Sequence, residues 1–346
     1  MVERLLDEGA NIEGVQGNKE TPLILAADRG RAGIVKLLVE RGANIHAQDE
    51  SGETALVLVA HRADSELTKI LLERTSTTRE KNEALLEATR SQIPVINMDA
   101  PEGRDKFAET DEMNYEFSAP YAEVAKLLLD AGADIEARDY DGNTALISAA
   151  TYGEVMVVKV LLARGADINA TDPDGGTALM GAACDCGVID KPDTRAGLKL
   201  LLDSGAALEV KTKEGKTALM FAATSNRCDL VELLLQKGAN INATDRNGNT
   251  ALMLAAEGNA IPTAEAVKTL LEHGAPVNAT NKSGQTALML AATGRGFDSG
   301  KILDLLLRWG ADPDVKDAHG NTALAIASKG QRAEAVRILE TATAKK

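Results

Sequence analysis

Residues 139–172 read DYDGNTALISAATYGEVMVVKVLLARGADINATD. Asp141-Gly142 is a turn dipeptide, because glycine accepts a positive φ that other residues resist. Thr144 follows where a helix N-cap belongs, its hydroxyl placed to accept a backbone N–H. The run from Ala145 to Ala150 predicts a short first helix, broken at Gly153. Val155 to Leu162 carries apolar residues at helical spacing and predicts a second helix. Gly165 supplies its C-terminal stop, with Arg164 in the last turn where a cation suits the helix dipole. Ala166 to Ala170 is extended and leads to the next turn. Neither short helix can bury its apolar stripe alone, so this unit needs neighbours of its own kind.

The neighbours are present. Thr21, Thr54, Thr144, Thr177, Thr217, Thr250, Thr286 and Thr322 are each followed by Ala or Pro and then Leu. A glycine stands twelve residues before each of them: Gly9, Gly42, Gly132, Gly165, Gly205, Gly238, Gly274 and Gly310. Thr21 to Thr54, Thr144 to Thr177 and Thr217 to Thr250 are all 33 residues apart. A fixed period of this size signals a solenoid, an architecture built to present surface.

Two motifs recur, G-x-T-A-L as in Gly142 to Leu146 and L-L-x-x-G-A-D/N-I as in Leu161 to Ile168, and they resemble the ankyrin repeat family along essentially the whole chain. The resemblance implies an all-α solenoid of β-turn fingers and paired antiparallel helices, with about nine repeats and a leading half-repeat. It also implies a concave groove, lined by finger tips and first-helix ends, that contacts protein partners. One departure is consistent. Where the family usually has a histidine that ties adjacent turns, this chain has Met180, Met220, Met253 and Met289. These methionines are expected to fill the interior.

The interruptions carry separate information. Thr177 to Thr217 spans 40 residues, and Thr250 to Thr286 and Thr286 to Thr322 span 36 each. The extra residues fall between first and second helices, around 186–194, 258–263 and 294–299. The 90-residue interval from Thr54 to Thr144 hides a degenerate repeat at 79–139. Its first helix is expected at 83–88 with Glu83 in the threonine position, after a finger clipped around 75–82. Its second helix is expected from Tyr121, preceded by an inserted acidic loop at 93–120 that bears Phe107, Tyr115 and Phe117. Those three aromatics favour docking of the loop. The chain opens on Val2-Glu3-Arg4-Leu5-Leu6, a second helix without its first, so residues upstream of Met1 or an imperfect cap are both expectations. The last helix is expected to carry a polar face through Arg332, Glu334, Arg337 and Glu340, as a terminal cap requires.

Composition narrows the function. The repeat runs through all 346 residues without a linker, which predicts one elongated domain, 1–346. A net charge of −14 argues against a nucleic-acid backbone as partner. No stretch approaches the roughly 20 apolar residues of a membrane span, and no signal peptide precedes the first repeat. A cytoplasmic monomer is the expectation, with secretion after loss of a signal as the alternative. Cys184, Cys186 and Cys228 make no disulfide framework, and a C-x-C without nearby histidines falls short of the four ligands zinc takes. His46, His61, His273 and His319 share no repeat with a cysteine, so a nucleophilic site is not expected. No cofactor is implied.

The expected function is a non-enzymatic interaction scaffold for a protein partner. A regulatory or inhibitory segment of a longer protein is the alternative, and a metal-binding protein or enzyme ranks last. Ankyrin register places the candidate partner-binding residues at Arg29, His61, Arg62, Arg90, Tyr140, Tyr152, Asp185, Lys213, Arg246 and Lys282. Tyrosine and arginine are types enriched at interface hot spots. This face is expected to be less acidic than the chain as a whole, with its centre around Arg62, Arg90, Tyr140 and Tyr152. Trp309 is expected in partly buried packing.

Overall fold

The computed structural model describes residues 1–15, 17–74, 77–90, 111–184, 194–225, 227–257, 264–294 and 299–344, the side chains of 111–117 and 194 excepted. Among these residues the secondary structure is helical, with isolated β-bridges Gln48–Thr54 and Arg138–Thr144 at finger bases. The chain falls into two compact units, one of residues 1–173 and 191–200 and the other of residues 174–190 and 201–346.

The first unit opens with α1 (Val2–Asp7), a second-type helix as its sequence predicts. First helices α2 (Pro22–Asp28), α4 (Ala55–His61), α6 (Thr78–Glu87) and α8 (Ala145–Tyr152) then alternate with second helices α3 (Ala32–Glu40), α5 (Ser65–Leu72), α7 (Asp111–Asp130) and α9 (Val155–Ala163). First helices stack on first helices and second on second: α2 on α4, α4 on α6, α3 on α5, α5 on α7 and α7 on α9. The second unit repeats the arrangement with α10 (Ala178–Ala183), α12 (Ala218–Thr224), α14 (Ala251–Glu257), α16 (Ala287–Thr293) and α18 (Ala323–Lys329) as first helices. Its second helices are α13 (Cys228–Gln236), α15 (Ala264–Glu272), α17 (Ser299–Arg308) and α19 (Ala333–Ala344), while α11 (Thr194–Asp203) is shared between the units.

The threonine rhythm is a capping rhythm. The hydroxyls of Thr21, Thr54, Thr144, Thr177, Thr250, Thr286 and Thr322 each accept the N–H three residues on, at 3.3–3.5 Å. Thr217 alone departs, since the Met220 N–H goes to its backbone carbonyl and its buried hydroxyl has no partner. The alanines and leucines after the caps are buried, apart from the half-buried Leu324 of the last repeat, and Met180, Met220, Met253 and Met289 are at most 4% exposed, interior filling as expected.

Without the histidine tie, neighbouring repeats are joined at the finger base. In four copies the residue four after the terminal glycine accepts the backbone N–H at the foot of the next finger: Glu13 from Asn44, Glu136 from Asp167, Glu209 from Asn240 and Asn278 from Asp312, all at 2.7–2.8 Å. Within fingers, Asp139, Asp245, Asn281 and Asp317 each accept two backbone N–H groups through one side-chain oxygen. Finger tips also bond directly, as Lys213 N–H to Asp174 O at 2.7 Å and Arg246 N–H to Glu214 O at 2.8 Å.

The degenerate repeat is where the structure corrects the sequence reading. Helix α6 starts at Thr78 rather than at 83, and Glu83 sits inside it. The missed signal is Thr77-x-x-Glu80, an N-terminal pattern in which the Thr77 hydroxyl bonds the Glu80 carboxylate. Arg79 pairs with Glu83 one turn on, at 2.8 Å. Residues 78–82 of the expected clipped finger are therefore helical, and Asn82 takes over its tie by accepting the Asp134 N–H at 2.7 Å. Helix α7 begins at Asp111, so the last ten residues of the expected loop are helical, with Pro120 inside the helix instead of at its start. The rest of that loop, Phe107 included, lies outside the described residues, as do the side chains of Tyr115 and Phe117. The insertions at 186–193, 258–263 and 295–298 lie outside them too.

At the C-terminal end, α19 buries Ala335 and Leu339 and exposes Glu334, Arg337 and Glu340. Trp309 is 46% exposed, half in and half out of its packing. Among the described residues no helix is long and apolar enough to cross a membrane.

Candidate functional site

The first unit gathers six of the candidate residues. Arg29 is the exposed C-cap of α2, His61 closes α4, Arg62 is its C-cap, and Arg90 lies just past α6. Tyr140 stands on the finger between α7 and α8, and Tyr152 closes α8, half-buried.

Arg90 organises the centre. Its guanidinium meets the Asp139 carboxylate at 2.7 Å and lies over the Tyr140 ring, 5.1 Å from the centroid. The Asp139 side chain is only 4% exposed. It also accepts the finger N–H groups of Asp141 and Asn143, both at 2.9 Å, and the Asn143 side-chain amide at 3.4 Å. One carboxylate thus shapes the turn and anchors the cation that stacks on the tyrosine. Tyr140 remains 86% exposed, the most open aromatic ring among the described residues. An exposed ring held by its own backbone turn and a pinned guanidinium is a preorganised contact group.

His61 is tied rather than free. Its Nδ1 lies 2.7 Å from the Glu87 carboxylate of α6, and its carbonyl accepts the Tyr121 hydroxyl at 3.2 Å. Burial raises the Tyr121 hydroxyl above its usual range, with Glu154 and Glu87 adding to the effect. The Arg62 guanidinium lies against Gly30, within 3.2 Å of where a Cβ would stand.

Sequence reasoning misses the carboxylates on this face. Glu53 stands one residue before the capping Thr54, half-buried. Burial chiefly, then Asp49, Glu87 and Asp28, push its carboxyl above the ordinary range, while His61 opposes them. Those neighbours come from the α2 end, the finger and the α6 end. Stacking the repeats in the first unit thus brings acids that are scattered in the sequence to bear on one another. The usable signal is the acidic residue immediately before a capping threonine.

In the second unit Lys213, Arg246 and Lys282 occupy equivalent exposed finger-tip positions, each donating its backbone N–H to the preceding finger. Lys213 also faces Asp174 at 3.7 Å. Asp185 lies outside the described residues, as does Cys186. Cys184 and Cys228 are half-buried. Among the described residues no group of three or more His, Cys, Asp or Glu is placed to hold a metal ion.

Comparison with protein families agrees with this geometry. Models described as ankyrin repeats match residues 162–245 and 241–317 in one case and residues 5–59 and 120–182 in another. The chain belongs to the ankyrin repeat family. The stretch between the matches, 60–119, is where α6 and the start of α7 depart from the regular unit. The comparison with curated proteins found no match. Ankyrin repeats generally mediate protein–protein interaction, and the proteins that carry them are typically non-enzymatic scaffolds.

Proposed function

We propose that this protein is a non-enzymatic scaffold that binds a protein partner on the first unit's face formed by the ends of α4, α6 and α8 and the finger at Asp139–Asp141. The observation that carries the reading is Tyr140, 86% exposed yet fixed by Arg90 above it and by the Asp139 turn beneath. A rigid aromatic group loses little conformational entropy when a partner covers it. The surrounding helix ends are rigid too, being capped and stacked, so a partner meets a preformed surface.

Hydrogen exchange tests the site. A peptide selected for binding to the full chain should slow amide exchange in the 139–143 finger and at the C-terminal ends of α4 and α6. Protection confined to the second unit would overturn the reading.

A further inference from the structure

We infer that the second unit carries a further interaction surface, a row of basic finger tips at Lys213, Arg246 and Lys282 that takes an acidic, extended segment of a partner protein. This surface is separate from the Tyr140 face, and the inference does not rest on the reading of that face.

Backbone geometry makes the row. The Lys213 N–H donates to the Asp174 carbonyl at 2.7 Å, the Arg246 N–H to the Glu214 carbonyl at 2.8 Å and the Lys282 N–H to the Asn247 carbonyl at 2.9 Å. Each tip is thereby fixed against the one before it. The three residues hold the same place in successive fingers, and all are exposed. The fingers at 211–216, 244–249 and 280–285 contain five cations, Lys211, Lys213, Lys216, Arg246 and Lys282, against two acids, Glu214 and Asp245. They form a basic row in a chain whose net charge is −14.

The acids of these fingers are engaged within them. Asp245 is 8% exposed; one oxygen accepts the N–H groups of Asn247 and Asn249 at 2.8 Å, and the other the Asn249 amide at 3.0 Å. Glu214 bonds Lys216 at 2.9 Å, and that bond chiefly, with Arg246 adding to it and Asp245 opposing, holds its carboxyl below the ordinary range. Asn281 stands where neighbouring fingers have Asp245 and Asp317, so its finger brings no acid. Most of the cations are less engaged. Among the described residues the Arg246 and Lys282 side chains have no hydrogen-bond or ion-pair partner. Lys213 faces Asp174 at 3.7 Å, and Lys211 bonds the neutral Thr244 carbonyl at 2.9 Å. Of the first helices behind these fingers, α12 and α16 close on threonine and α14 on the half-buried Glu257. The next finger adds Lys316 and Asp317, the latter bound to its own N–H groups. Carboxylates set along an extended segment can thus meet successive tips, Arg246 through a two-pronged bond and the lysines as point charges. A long nucleic-acid backbone has the same sign, but the acidic remainder of the chain repels it.

The test is fluorescence anisotropy of a labelled synthetic peptide of alternating glutamate and serine, titrated with the full chain. A peptide with glutamine in place of glutamate should bind at least about tenfold more weakly. The triple variant Lys213→Gln, Arg246→Gln, Lys282→Gln should weaken the acidic peptide at least about tenfold, with the helical signal of the parent. The triple variant Lys36→Gln, Lys159→Gln, Lys268→Gln removes the same charge from exposed positions on α3, α9 and α15, and should change affinity less than about twofold. Equal losses in both triples would mean that net charge alone attracts the peptide, overturning the inference. An acidic peptide that fails to bind the parent chain, or binds no better than its glutamine counterpart, overturns it as well. Tyr140→Ala should leave the acidic peptide's affinity unchanged. If that substitution abolishes binding and the tip triple does not, the acidic segment belongs to the first unit's face: this inference fails while the reading of that face stands. An oligothymidylate that binds the tips more tightly than the peptide would reassign the row to nucleic acid and overturn the inference.

Discussion

The Arg90 guanidinium lies over the Tyr140 ring at 5.1 Å while bonding Asp139 at 2.7 Å, so one side chain both steadies a finger and backs its exposed aromatic. Removing either end of this arrangement should have different consequences. Arg90→Ala leaves the Asp139 carboxylate, 4% exposed, without its charged partner. It should cost about 1.5–3 kcal/mol in urea unfolding. Tyr140→Ala takes away a ring that is 86% exposed and should change stability by no more than about 0.5 kcal/mol. Equal stability losses would mean that the ring, not the ion pair, holds the finger.

The capping threonines give a paired test. Thr144→Val removes a hydroxyl that accepts the Ile147 N–H at 3.3 Å, and should cost about 0.5–2 kcal/mol. Thr217→Val removes a buried hydroxyl that has no partner, and should cost less or even stabilise. Thermal unfolding of the two variants beside the parent chain decides it; the reverse order would contradict the capping account.

Glu53 predicts a pH signature. Its folded carboxyl is raised above the ordinary value, so the folded state holds the proton more tightly than the unfolded one. The ionised group therefore opposes folding, and that opposition grows as pH rises from the ordinary carboxylate range, near 4.5, through the raised value. Glu53→Gln should raise Tm at pH 7, and the gain should vanish as pH falls below that range. A gain independent of pH would point to packing instead of charge.

Backbone conformation gives a third contrast. Ala63 has φ +54 at the turn between α4 and α5, where Gly153 has φ +73 in the corresponding turn. Ala63→Gly should stabilise by about 0.5–1 kcal/mol, because glycine carries no left-handed penalty. Gly142→Ala should be severe: φ is +83 and the new Cβ would meet Pro173 at 2.4 Å. Denaturation midpoints for the two variants should move in opposite directions.

The regular copies are legible in the sequence because each rests on local chemistry. Thr144, Gly142 and Gly165 announce a cap, a turn and a stop within one repeat, and the same signals recur wherever the period holds. The degenerate repeat is less legible for the same reason. Its helix α6 starts on Thr77-x-x-Glu80, outside the threonine rhythm, and α7 continues upstream of a proline that resembles a helix boundary. The register of the candidate face is readable, placing Arg90 and Tyr140 on it. Its electrostatics are not, because Asp28, Glu53 and Glu87 are scattered in sequence and act on one another only once α2, α4 and α6 are stacked. Nor does the sequence reveal that Arg90 is paired with Asp139, a residue 49 positions away.

The most direct test of the account is calorimetric titration of a library-selected peptide into the parent chain and into the Tyr140→Ala, Tyr152→Ala double variant. The account predicts a loss of at least about 2 kcal/mol, roughly a thirtyfold weaker Kd, with the helical signal and urea midpoint of the variant essentially those of the parent. Unchanged affinity in a variant that remains folded would contradict it and move the binding surface away from this face.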